Sequence, residues 1–318
     1  MGTAFLFPGQ GAQAVGMGGD LYEAFAPARR VFEAAEAATG LPLRTLCFEG
    51  PQDELARTDI CQPAIFTVSA AALAVVSDLL GPEKTEAFRP AFMAGLSLGE
   101  YTALYAADVI DLPSAVKLVA RRGELMQAAA AAVPSGMVSV IGLDEAQARN
   151  LVEASAEGQV LTCANFNCPG QIVLSGELDA CRRAEEKAPE FGARGAMPLK
   201  VAGAFHSEVM APAAEQLAAA LEQVEFRTPR APVVANVDAR PHGTGDEVHE
   251  KLLAQLTGAV RWQQSMEFLL GSGVRKFYEI GPGRVLAGLM RRIDRSAKVT
   301  CLNGREAVEK LVQQLAES

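Results

Sequence analysis

The sequence predicts an α/β protein in which a small ferredoxin-like unit interrupts a larger domain. Three observations predict it. A short apolar strand near the N-terminus, Ala4 to Phe7, runs straight into the glycine-rich loop Pro8-Gly9-Gln10-Gly11. A second strand, Ala91-Phe92-Met93-Ala94, runs into Gly95-Leu96-Ser97-Leu98-Gly99 ahead of a helix. Between about residues 129 and 202 the pattern changes to β-α-β-β-α-β, the order of a ferredoxin-like unit. Continuous apolar runs that end in such loops suit strands buried on both faces, as in parallel sheets. The expected division is residues 1–128 and 203–318 for the large domain and 129–202 for the insert.

Each element has its local reason. A helix is expected through Tyr101-Thr102-Ala103-Leu104-Tyr105 after the second strand, and another from Asp111-Leu112-Pro113-Ser114, where a proline near the start costs little. In the insert, Met137 to Ile141 reads as a strand and Asp144 as the N-cap of a helix through Val152. Gln159 to Cys163 and Gln171 to Leu174 read as strands, Leu178 to Lys187 as a helix and Ala196 to Val201 as the last strand. Pro134-Ser135-Gly136 and Gly203 are expected hinges. The α/β pattern then resumes with strands at Val233 to Val237 and Lys276 to Ile280, the second stopped by Gly281-Pro282-Gly283.

Composition narrows the function. With 318 residues, 49% hydrophobic and 21% charged, the chain suits a globular protein with a large core. No uninterrupted apolar run approaches the roughly 20 residues that span a bilayer. No basic leader precedes Thr3 to Phe7, and Pro8-Gly9 interrupts any signal-peptide core, so a cytoplasmic protein without a membrane partner is expected. The six cysteines are scattered with no C-x-x-C pair, which suits reduced core residues, and only three histidines argue against a metal site. A net charge of −9 argues against a nucleic-acid partner. The stretch from Arg284 to Lys298 runs the other way, with Arg284, Arg291, Arg292, Arg295 and Lys298 against Asp294. It fits an acidic partner or a solvated helix face equally.

The chemistry centres on Ser97. G-x-S-x-G between a strand and a helix is the setting of a nucleophile elbow, with the helix N-terminus aimed at a reacting carbonyl oxygen. A serine needs a base. His242 is expected in a turn-rich, exposed loop and His249 among acidic residues, whereas His206 follows Gly203-Ala204-Phe205 at the return from the insert. His206 is therefore the expected base. The Pro8 to Gln13 loop would lie beside the elbow at the carboxyl edge of the sheet, where its N–H groups could hold an oxyanion. Arg121 and Arg122 point in different directions from an apolar helix, so one can face inward as a fork for a carboxylate. Gly123 beside them suggests close packing.

These motifs, in this order, resemble those of the malonyl-CoA:acyl carrier protein transacylases, and the acyltransferase domains of polyketide synthases are similar. The resemblance adds Gln62-Pro63-Ala64, Asn165 to Gly170 and Glu279 to Gly283, and runs over nearly the whole chain. It implies an α/β-hydrolase-like large domain with the ferredoxin-like insert. It implies that Ser97 attacks the malonyl thioester of coenzyme A and that His206 takes its proton, with the backbone carbonyl of Gln255 orienting the imidazole. The backbone N–H groups of Gln10 and Leu98 would form the oxyanion hole, and Arg122 would pair with the malonyl carboxylate. Gln62 and Asn167 match pocket residues, and Phe205 matches the malonyl-selective form. The acyl acceptor would be the phosphopantetheine thiol of an acyl carrier protein, with Arg291 and Arg292 as docking residues and no bound cofactor beyond the thioester substrate. The commonest family pattern has His where this chain has Leu96. An esterase-type hydrolase would share the elbow but usually holds its histidine with an acid. A non-catalytic acyl-binding domain need not keep Ser97, His206 and Arg122 together.

Overall fold

The computed structural model describes residues 2–316, so residues 1, 317 and 318 of the expected large domain lie outside it. Two sheets organise the chain. The first has five parallel strands in the order β7-β2-β1-β8-β9, namely Val233–Val234, Phe92–Gly95, Gly2–Phe7, Val274–Ile280 and Lys298–Leu302. The second is antiparallel, β4-β5-β3-β6, built from Leu161–Cys168, Gln171–Glu177, Ser135–Ile141 and Gly195–Pro198. With helices Glu145–Ala156 and Leu178–Lys187 as its crossovers, the second sheet has the ferredoxin-like strand order. The helix at Glu145 starts where expected, because Asp144 and Gln147 form a reciprocal capping box.

Several boundaries differ. β4 continues to Cys168, because its far end also bonds the large domain: Phe166 N–H donates to Val260 O and Val260 N–H to Ala164 O. β6 stops at Pro198, short of Val201. β7 keeps only two residues, since Ala235 N–H turns back to Arg240 O and Asn236 is drawn toward the elbow. The expected hinges are packed. A Cβ on Gly203 would lie 2.5 Å from that of Ala130, and Ala204 N–H donates to Ser135 Oγ.

Several helices went unread in the sequence, and the longest of them lies in the core. Thr58–Ala87, bent at Gly81, is long and apolar enough to cross a bilayer, contrary to the expectation that no segment is. Of its most apolar window, 67% is buried inside the protein, where it packs against helices Ala26–Thr39 and Leu112–Ala132. All six cysteines are free thiols, five of them buried.

What places the chemistry is backbone packed directly on backbone at the carboxyl ends of β1 and β2. Phe7 pairs with Gly95, and Leu96 N–H donates to Phe7 O. A Cβ on Gly9 would sit 2.3 Å from Leu96 O, and one on Gly99 2.1 Å from Phe7 O. On Gly95 it would fall 1.9 Å from the Gly99 carbonyl. No side chain fits in these contacts, so the glycine-rich loop and the elbow form one block. Gly99→Ala is accordingly expected to cost about 2 kcal/mol or more, read as a lowered midpoint in thermal or urea unfolding. A midpoint equal to the native one would mean that the contact is not tight.

Candidate functional site

The elbow forces Ser97 into an unfavourable backbone conformation, φ 53° and ψ −106°. Such conformations cost roughly 1–3 kcal/mol and persist only where the surroundings hold them. Here the hold is visible: Ser97 N–H donates to Asn236 Oδ1 at 2.7 Å, and Asn236 Nδ2 donates to Gly95 O at 2.7 Å. The turn projects Oγ to 2.8 Å from His206 Nε2. His206 also has a positive φ, 58°, in the tight turn that returns from the insert. Its Nδ1 lies 2.7 Å from Gln255 O. A carbonyl only accepts, so Nδ1 carries the hydrogen and Nε2 is free to take the serine proton.

Leu98 is the first residue of the helix Leu98–Ala106, so its N–H has no acceptor within that helix. Leu98 lines a cavity together with Gln10 from the glycine-rich loop. The cavity holds about 230 Å³ between the two sheets. Ser97, His206, Gln62, Arg122, Asn167 and Phe205 also line it. Leu96 contributes an apolar wall. A larger groove, about 670 Å³ beside Asn303, Glu306 and Lys310, contains no serine–histidine pair.

Of the two adjacent arginines, Arg121 is exposed and pairs with Glu124, while Arg122 is buried at 1% exposure. Gly123 permits this, since a Cβ there would meet Thr58 O at 2.7 Å. Arg122 lies against the face of Tyr101, 5.2 Å from the ring centroid. It donates to Gln62 Oε1, to Gln255 Oε1 at 3.0 Å and to Ser97 Oγ at 3.1 Å. All three partners are neutral, and its Nε is buried without a partner. Asn167 Oδ1 is likewise buried without a partner. The site therefore presents a serine hydroxyl bonded to a histidine, and a cation with an unmatched donor.

His242 departs from expectation. The loop that carries it is rich in turns but not exposed there. His242 N–H donates to Val233 O, and the side chain is fully buried with Nε2 2.8 Å from Glu100 Oε1. His249 is half-buried on the helix Gly245–Thr257. Of the three, His206 alone meets Ser97. Sequence reasoning missed Glu100, Asn236 and Tyr101. A glutamate within the apolar run Leu98 to Leu104 was the available signal for the first.

The chain matches the family model described as acyl transferase domain over residues 4–309. It is 41% identical to the malonyl CoA-acyl carrier protein transacylase of Bacillus subtilis, over 99% of this chain and 97% of that protein. The chain belongs to the acyl transferase family, among the malonyl CoA-acyl carrier protein transacylases. Solved structures agree. An acyl carrier protein S-malonyltransferase from Vibrio cholerae superposes with a TM-score of 0.92 at 38% identity, covering 98% of this chain and 100% of that one. A malonyl-transacylase solved with a type II polyketide synthase acyl-carrier protein gives a TM-score of 0.92 at 39% identity, covering 99% and 100%. The α/β architecture with its separate antiparallel sheet is thus that of the malonyl transacylases.

Burial, and after it the charge of Arg122, lowers the His206 pKa to about 4. A base must be neutral, so kcat/KM for acylation is expected to stay flat from neutral pH down to about 5 and to fall through about 4. Arg122→Ala removes one of the two lowering causes, so its acid limb should move upward, toward the ordinary histidine value of about 6.5. Initial rates against pH on both proteins check this, and a native limb near 6.5 would contradict it. The same shift has a stability cost with a definite sign. Below about 6.5 the unfolded chain takes up a proton that buried His206 refuses, so this residue's contribution falls as pH drops toward about 4.

Proposed function

We propose that this chain transfers a malonyl group from malonyl-CoA to the phosphopantetheine thiol of an acyl carrier protein, through a malonyl ester on Ser97, supplying the extender unit for fatty-acid synthesis. Ser97 Oγ attacks the thioester carbonyl as its proton passes to His206 Nε2. The oxyanion is held by the N–H groups of Gln10 and Leu98, at the helix N-terminus. The C–S bond breaks, and the His206 proton leaves on the coenzyme A sulfur. The carrier thiol then gives its proton to His206 and attacks the ester. The serine C–O bond breaks and Ser97 recovers its proton. Gln255 holds the imidazole through its backbone carbonyl, the place an acid takes in most hydrolases. No cofactor enters any step.

The observation that carries the malonyl assignment is the Arg122 guanidinium: buried, 3.1 Å from Ser97 Oγ, bonded only to neutral groups and with Nε unmatched. A substrate carboxylate beside the ester would complete it. Gln62, Asn167 and Phe205 shape the same pocket. The two units divide near residues 128/129 and 202/203, with the pocket between them, and the protein works in the cytoplasm.

Carrier docking falls to Arg291 and Arg292. They end the helix Val285–Ile293, whose Val285 and Leu289 line the cavity, and Arg292 Nη1 donates to Gln171 Oε1, on another lining residue, at 2.9 Å. They are thus exposed beside the mouth. Reversing both charges should slow transfer to an acidic carrier and weaken its salt dependence while leaving acylation by malonyl-CoA nearly unchanged. Equal losses in both half-reactions would contradict the docking role.

Intact mass after incubation with malonyl-CoA tests the whole reading. The native protein should carry a malonyl adduct that a carrier protein discharges, and Ser97→Ala should carry none. Arg122→Ala should lose about two to three orders of magnitude in malonyl preference over acetyl, since unpairing one buried charge costs roughly 3–5 kcal/mol. A full adduct on Ser97→Ala would remove the nucleophile assignment. An unchanged malonyl-to-acetyl ratio in Arg122→Ala would remove the carboxylate site.

A further inference from the structure

Behind the reacting groups lies a buried carboxylate that takes no part in the reaction scheme. Glu100, three residues after Ser97, has no exposed surface. Its Oε1 meets His242 Nε2 at 2.8 Å. Its Oε2 accepts from the Asn236 backbone N–H at 2.9 Å and from Gln255 Nε2 at 2.7 Å. Both of those residues touch the site: Asn236 holds Ser97 N–H, and Gln255 presents Oε1 to Arg122 Nη2.

An amide side chain has one accepting and one donating end, and its neighbours decide which way it faces. A carboxylate only accepts, so Glu100 admits only the NH₂ end of Gln255, whose Nε2 also donates to the Ser97 carbonyl at 3.1 Å, the longer of the two bonds. The oxygen end is then the one that meets the arginine. Reversed, the amide would set donors against the donors of the guanidinium. Keeping the acid one residue back also matters. A carboxylate in direct contact would occupy the fork, whereas the neutral Gln255 oxygen orients it and yields to a stronger, charged acceptor.

We propose that Glu100, acting through Gln255 and paired with His242, is a positioning residue that aims the Arg122 guanidinium and so sets the preference for a carboxylated acyl group. This rests on the carboxylate role of Arg122 proposed above. The test compares initial rates of Ser97 loading from malonyl-CoA and acetyl-CoA by intact mass, in the native protein and in Glu100→Ala, Glu100→Gln and Arg122→Ala. Glu100→Ala should lower the malonyl-to-acetyl ratio by about tenfold or more. Glu100→Gln should keep a ratio above that of Glu100→Ala, because its oxygen can still face Gln255, although its NH₂ then meets His242 only with the imidazole proton on Nδ1, which is buried without an acceptor. General loosening of the fold would lower both rates together and leave the ratio unchanged.

A native ratio in Glu100→Ala, with a collapsed one in Arg122→Ala, overturns the positioning role and leaves the carboxylate site standing. A native ratio in Arg122→Ala overturns the carboxylate site itself, and this inference with it. A Glu100→Gln ratio as low as that of Glu100→Ala overturns the proposal by assigning the effect to charge rather than to amide direction. If Glu100→Ala does not fold, Gln255→Met, which keeps the backbone carbonyl used by His206, carries the test. Its ratio should fall by at least tenfold, and a native ratio there overturns the proposal.

Discussion

A guanidinium cannot shed its proton at any pH a folded protein experiences, so burying one commits the surrounding structure to accommodating a permanent charge. Arg122 is buried at 1% exposure and makes its hydrogen bonds to Gln62, Gln255 and Ser97, all neutral. The nearest compensation is indirect: the face of Tyr101 and, through Gln255, the carboxylate of Glu100. Burial pulls its pKa down, while Tyr101 and Glu100 push it up. Leaving a charge under-compensated is costly for stability alone. The arrangement makes physical sense as a place for a ligand's charge, held open by acceptors weaker than a carboxylate.

The same cation acts on His206. Burial, reinforced by Arg122, keeps His206 neutral far below the ordinary histidine range. A substrate carboxylate on Arg122 would offset that second influence, so in the proposed reaction the arginine that selects the acyl group would also tune the proton acceptor. The elbow supplies the remaining geometry. Ser97 holds its strained turn because Asn236 ties Ser97 N–H to Gly95 O across it, and because Gly9, Gly95 and Gly99 let backbone pack on backbone. Reactive atoms are thereby fixed before substrate arrives, which is where much of an enzyme's electrostatic advantage originates.

Much of this was legible in the sequence, for local reasons. Glycines at positions 95 and 99 around Ser97, the helix start at Asp111 to Ser114, the Asp144 cap and the β-α-β-β-α-β order are short-range signals, and each appears where expected. Family resemblance supplied Gln10, Gln255 and Arg122 as candidates, and the structure brings each of them to Ser97 or His206, or to the cavity they line. Other features left no local trace. Up to Val76 the helix Thr58–Ala87 is apolar on nearly every face because the protein surrounds it, so it lacks the periodicity that marks a surface helix. β9 is a five-residue edge strand that begins where the basic stretch ends. His242 looked exposed because turn residues flank it, and its burial depends on a carboxylate 142 positions away.

The most direct test of the account is the structure of the malonylated protein, trapped before a carrier thiol is supplied. It should show the acyl carbon on Ser97 Oγ, the carbonyl oxygen facing the N–H groups of Gln10 and Leu98, and the free carboxylate on Arg122 in place of one or more of its present neutral acceptors. A malonyl ester whose carboxylate points to the pocket mouth, with the Arg122 contacts to Gln62 and Gln255 unaltered, would contradict it.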